Sequence, residues 1–177
     1  MKKLLTIALA AALCAPAFAQ KMGMTNSNAP TVKQAVESEG AKISLNYTSI
    51  TWADGKTMNM LTDKEKGARS RQRLNDSAAK SPLGSFSTSV AVKCGDLVLA
   101  AGEYSVYFTI TDDCQWQINF AGADGKAQTM VLPVQKSEHE SKRLLLCLYA
   151  EDAGAGVYVS FGLMSGMLTF VPHTESK

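Results

Sequence analysis

The chain reads as an all-β protein, an antiparallel β-sandwich of about eight to nine strands with one short surface helix or ordered loop. Three observations predict it. Apolar and polar residues alternate over most of residues 41–172. Turn-forming residues recur at intervals of roughly eight to twelve positions. No helical periodicity is interleaved with these runs, which argues against a parallel α/β sheet.

Taken in order, Ile43, Leu45 and Tyr47 alternate with Ser44 and Asn46, placing the apolar three on one strand face. Ile50 and Trp52 have the opposite parity, so a bulge or a turn is expected near Thr48 and Ser49. From Thr62 to Lys80 the pattern changes. Thr62-Asp63-Lys64-Glu65 matches a capping box and good helix formers follow, with Leu61, Ala68 and Leu74 able to face a core. This stretch holds six basic residues (Lys64, Lys66, Arg69, Arg71, Arg73, Lys80) against three acidic ones and no aromatic residue for base stacking, so it reads as a solvated face. Strand alternation resumes at Phe86, Thr88, Val90 and Val92, then at Tyr104, Val106, Phe108 and Ile110. Trp116, Ile118 and Phe120 follow, with a turn at Asp124-Gly125 and a run from Gln128 to Val134. The dense run from Arg143 to Tyr149 suggests a strand buried on both faces. Val157, Val159, Phe161 and Leu163 alternate, and Ser165-Gly166 reads as a tight turn into Leu168 and Phe170.

The N-terminus carries an address. Met1-Lys2-Lys3, the apolar run Leu4 to Leu13, and Ala17-Phe18-Ala19 form a secretory signal peptide, with cleavage predicted between Ala19 and Gln20. The apolar run is far short of the roughly 20 residues that span a bilayer, and no other segment is a transmembrane candidate. Leu13 before Cys14 is large where lipoprotein processing prefers a small residue. The expected organisation is a signal peptide at 1–19, a flexible leader at 20–40, one sandwich domain at 41–172 and a tail at 173–177. The expected location is periplasmic or extracellular.

Composition narrows the function classes. The chain has 177 residues, 46% hydrophobic and 19% charged, which suits one globular domain. Without Lys2 and Lys3, basic and acidic residues balance at 16 each. No steering field for nucleic acid is expected.

Cys94, Cys114 and Cys147 remain after cleavage. In an oxidising compartment one disulfide is expected, and tracing the strands brings Cys94 and Cys114 to one sheet end. Cys147, among leucines, reads as a buried small hydrophobe. No catalytic residue is assigned, because His139 (in the polar turn Ser137–Ser141) and His173 are solvated and give no cysteine a basic partner. The acids Asp112 and Asp113 read as turn residues before Cys114. Neither a metal nor any cofactor is implied. The sequence has no His-x-x-x-His or Cys-x-x-Cys, no phosphate-binding glycine loop and no nucleophile elbow. Trp52 and Tyr107 are the candidates for an exposed aromatic ligand face.

The stretch Val90 to Phe120 carries a resemblance. Cys94-Gly95-Asp96, then Leu99-Ala100-Ala101-Gly102-Glu103-Tyr104-Ser105-Val106-Tyr107-Phe108, then Trp116-Gln117-Ile118-Asn119-Phe120, resembles the bacterial secreted family known as domain of unknown function 2911. Val32-Lys33-Gln34, then Ile43 to Tyr47, is similar to that family's opening strand and Val157 to Val171 to its closing hairpin. The chain is a divergent member on this reading: it lacks the family's Trp-Arg-x-Gly-Ala-Asn segment, and Ala100 stands where the family turn has proline. The resemblance implies an exported β-sandwich and no assigned activity. The expected function is an exported, non-catalytic binding or envelope-associated module whose partner is an unknown protein or glycan. The alternatives are a carbohydrate- or peptide-binding module using an exposed aromatic sheet face, and a secreted hydrolase.

Overall fold

The computed structural model describes residues 28–38, 40–52 and 55–174. The expected signal peptide, its predicted cleavage site and Cys14 lie outside the described residues. Among the described residues ten strands form two antiparallel sheets, accompanied by two helices. The strands are β1 (Thr31–Ser38), β2 (Ala41–Thr48), β3 (Gly84–Thr88), β4 (Val92–Cys94), β5 (Leu97–Leu99), β6 (Gly102–Ile110), β7 (Trp116–Ala121), β8 (Ala127–Val131), β9 (Val134–Glu151) and β10 (Gly154–Pro172). The helices are α1 (Lys56–Thr62) and α2 (Ala68–Ala78). One sheet has the order β1-β2-β3-β6-β7-β8 and the other β5-β4-β10-β9. The all-β sandwich expected from the alternation is thus present.

The inward-facing residues are those the period of two selects. Ile43, Leu45, Tyr47, Phe86, Val106, Phe108, Ile110, Ile118 and Phe120 from the first sheet meet Leu144, Leu146, Val157, Val159, Leu168 and Phe170 from the second. Two aromatic groups anchor this core. Phe86, Phe120 and Phe170 have ring centroids 4.8–6.0 Å apart. Trp52 meets Phe161 edge-on at 4.9 Å, and Phe108 meets Trp116 at 4.9 Å. Such pairs each add about 0.5–1.5 kcal/mol beyond area burial.

The seam between β1 and β9 is closed by polar side chains. Gln34 Nε2 donates to the Leu146 carbonyl and Gln34 Oε1 accepts from the Leu148 N–H. Tyr47 Oη accepts from the Leu146 N–H, Ser49 Oγ donates to the Leu144 carbonyl, and Ser38 Oγ donates to the Glu151 carbonyl. The Leu144 N–H reaches the Ile50 carbonyl. Main-chain groups at the edge of β9, which would otherwise invite another strand, are occupied this way.

Several expectations are corrected. The leader expected at 20–40 contains β1, whose polar sequence conceals Val32 and Val36 packed against the core. The apolar run 86–92 is two strands: β3 ends at Thr88, and β4 belongs to the other sheet. The capping box at Thr62 does not start a helix. Thr62 ends α1, and the Asp63 carboxylate accepts from the N–H groups of Glu65 and Lys66, forming a turn that precedes α2. Ala68 is exposed, and the inward stripe of this segment is Gly67, Arg71, Leu74 and Ala78. Ser137–Ser141 is part of β9 and not a turn. Ser165-Gly166 also lies within a strand; β10 instead shifts register on either side of Gly162, whose φ is 59°. Its last residues come back beside its first, since a Cβ on Gly154 would sit 2.1 Å from the Phe170 carbonyl oxygen.

Candidate functional site

The expected aromatic ligand face is absent at Trp52 and Tyr107. Trp52 is 6% exposed because its ring lies on Gly162, where a Cβ would come within 2.5 Å of the indole. Tyr107 is 8% exposed. It points to the outer face of the six-stranded sheet, beside a polar lattice that satisfies itself. There Asn119 Nδ2 donates to the Tyr107 carbonyl and to Thr109 Oγ1, and Thr129 Oγ1 donates to Asn119 Oδ1. Neither ring can stack on a ligand.

The expected Cys94–Cys114 bridge is not formed, and the three cysteines among the described residues are free thiols. Cys94 points into the core from β4. Cys114 lies in the turn between β6 and β7, in the other sheet. Continuous alternation predicts that these strands share one sheet, whereas the chain changes sheets after Thr88. Burial pushes the Cys94 thiol pKa up, partly offset by a hydrogen bond with the Thr169 backbone.

Arg71 departs from the solvated face expected of the basic stretch. It is 2% exposed. Nη1 donates to the carbonyls of Met60 (3.2 Å) and Asp63 (2.8 Å) and to Cys114 Sγ (3.3 Å), and Nη2 donates to the Lys64 carbonyl. The guanidinium therefore caps the C-terminal end of α1, where carbonyls lack helical partners. It ties that end to Cys114, whose φ of 64° is the one positive value at a non-glycine residue among the described residues. Nearby, Lys64 Nζ meets Asp113 Oδ1 at 2.5 Å, and this pairing holds the Asp113 carboxyl below the usual range and the Lys64 ammonium above it. The spacing 67, 71, 74, 78 was the available signal that Arg71 occupies a core position.

The four-stranded sheet presents the opposite anomaly. Along β9, Leu144, Leu146 and Leu148 face the core, while Leu145 and Cys147 face water. Burial on both faces, expected for this run, is corrected at Leu145 and Cys147, which are exposed. Leu145 is 42% exposed, Tyr158 37% and Met167 52%. Tyr158 pairs directly with Cys147, Ser160 with Leu145 and Gly156 with Tyr149. The Tyr149 ring lies over Gly156, where a Cβ would be 2.2 Å from Cζ, and its hydroxyl reaches Met167 Sδ. Burial and the neighbouring Glu151 carboxylate push the Tyr149 hydroxyl pKa up. The result is a continuous outer surface of Leu145, Cys147, Tyr149, Tyr158 and Met167. Two interleaved apolar phases in 143–149 were the sequence signal for it.

Other candidates do not converge. Glu138, His139 and Glu140 are exposed along β9. No group of three or more metal-ligating side chains occurs among the described residues. Where the helices meet the sandwich there is a gap of about 20 Å³, lined by apolar residues such as Leu61, Leu74, Ile110 and Trp116 together with Thr57. That is room for roughly one water. No family model, curated protein or solved structure matches the chain. The resemblance to the secreted family rests on the residues quoted for it. One of them has a clear role: Tyr104 is buried and its hydroxyl donates to the Ala100 carbonyl, pinning the Ala100–Tyr104 corner.

Proposed function

We propose that the chain is an exported, non-catalytic β-sandwich, a binding or envelope-associated module that meets an apolar protein surface through the outer face of its four-stranded sheet. The observation that carries this reading is the continuous exposed surface of Leu145, Cys147, Tyr149, Tyr158 and Met167. Apolar side chains gathered on one sheet face mark an interaction site, and tyrosine and methionine are enriched in such interfaces. A non-catalytic role is supported by what the reactive groups already do. Cys94 fills core, Cys114 is bonded to Arg71, and Asp113 is paired with Lys64. Export is supported by the leader pattern at residues 1–19.

The test has two parts. Intact mass of the protein secreted by a bacterial host is expected to correspond to a chain beginning at Gln20; a retained leader would overturn export. The apolar dye anilinonaphthalene sulfonate is expected to bind the protein in dilute solution, where the face is uncovered, and to lose that binding in Leu145→Glu and Tyr158→Glu. Undiminished dye binding in folded variants would overturn the assignment of the face. One observation favours a glycan as a second reading: the flat Tyr149 ring beside Tyr158 offers a stacking platform on this same face. Co-sedimentation with insoluble chitin or peptidoglycan that disappears in Tyr158→Ala would select it.

A further inference from the structure

We infer that the surface covering this face is a second copy of the chain, paired face to face about a two-fold axis that runs along the Cys147–Tyr158 row. This rests on the reading of the face as a binding surface and adds the identity of what it binds.

The argument comes from register and charge. The outward residues of β9 run Arg143, Leu145, Cys147, Tyr149, Glu151, with the apolar residues inside and one charge of each sign at the ends; Arg143 Nη1 also donates to the Ser49 carbonyl at 3.2 Å. Two sheets packed face to face can be related by a two-fold axis lying between them. When that axis is perpendicular to the strands, each strand runs antiparallel to its own copy. A residue a given number of positions before the axis then meets the residue the same number after it.

Placing the axis at Cys147 makes Leu145 meet the Tyr149 of the other copy, and Arg143 meet its Glu151. Both charges find opposite partners, and every apolar side chain of the row meets another. Centring on Tyr149 would instead lay Glu151 on Cys147, and centring on Leu145 would lay Arg143 on Cys147, so the neighbouring registers bury a charge against the thiol. Because Tyr158 is the direct cross-strand partner of Cys147, it lies on the same axis and meets its own copy. The charged ends lie about 13 Å from the axis along the strand. Stacked sheets are about 10 Å apart, a spacing that long Arg and Glu side chains can bridge.

The test is sedimentation equilibrium on the purified full chain with reductant present, combined with charge exchange. The expected mass is that of two chains. Glu151→Arg and Arg143→Glu are each expected to weaken association about tenfold or more, and the double exchange to restore it, a rescue that a merely structural role would not give. Circular dichroism verifies that each variant is folded. A short bis-maleimide is expected to link two chains through Cys147 and to fail with Cys147→Ser. A monomer at all concentrations that still binds the apolar dye on this face would overturn the self-pairing and leave the binding face standing. A monomer without dye binding would overturn both. A dimer indifferent to Tyr158→Glu and not linked through Cys147 would overturn the pairing, since another surface would be holding it.

Discussion

Tyr47 and Gly162 show how much of the sandwich depends on single atoms. The Tyr47 side chain is core, yet its hydroxyl accepts the Leu146 N–H across the seam, and burial pushes its pKa up. Tyr47→Phe keeps the ring and leaves that buried N–H without a partner. The expected loss is about 1–3 kcal/mol in urea unfolding, with the slope unchanged. Gly162 has a left-handed φ and supports the Trp52 ring, while Gly95, with φ 59°, has nothing within 4 Å of a built Cβ. Gly95→Ala is therefore expected to cost about 1 kcal/mol, from backbone conformation alone. Gly162→Ala should cost at least twice that, since the indole must also move; equal losses would show that the ring contact is soft. Core residues of this kind were largely legible, because Ile43, Leu45, Tyr47, Phe86 and Phe120 follow the strand period. Arg71 was not. Its burial depends on carbonyls of the α1 end and on Cys114, partners 7 to 43 positions away in the sequence.

Element by element, the helical segment is joined to the sheet by a side chain that imitates a strand. Because β3 pairs with β6 only from Gly102 to Val106, the edge of β6 beyond is open. Asn75 of α2 fills it: Nδ2 donates to the Ile110 carbonyl at 2.9 Å, and Oδ1 accepts from the Ile110 N–H at 3.0 Å. Asn75→Ala is expected to destabilise by about 1–3 kcal/mol. Hydrogen exchange at Ile110 should quicken more than at Val106. Equal protection at both sites would mean that packing of Leu74 and Ala78 alone docks the helix.

The Lys64–Asp113 contact ties the α1–α2 turn to the β6–β7 turn and is exposed, so its effect is small. A carboxyl whose folded pKa is lowered adds stability above its unfolded value, and loses it as pH falls through the folded one. Asp113→Asn should therefore reduce the change in stability on acidification below about pH 4 and leave the neutral region nearly unchanged, as read by denaturation at both pH values. Strand positions were visible in the sequence, but β1 was not, since its polar residues outnumber its apolar ones. Nor was the change of sheet between β3 and β4, because alternation continues across it.

For the whole molecule, the clearest check is thiol accessibility. Alkylation of the folded protein at high dilution, where the face is uncovered, followed by mass mapping is expected to modify Cys147 first, Cys114 more slowly, and Cys94 only as the protein unfolds. Three modified thiols are expected after denaturation without reductant, and a single one would mean that a disulfide forms after all. The sequence by itself determined the all-β class and the inward face of most strands, and it carries the leader pattern on which the export proposal rests. These are local properties: a period of two, turn residues, and a charged and apolar leader. Tertiary structure decided which sheet each strand joined, that Cys94 and Cys114 lie in different sheets, that Trp52 and Tyr107 are covered, and that Leu145, Tyr158 and Met167 are not. The reason is physical. Alternation says which residues share a face of a strand, whereas what lies on that face depends on the path of the whole chain.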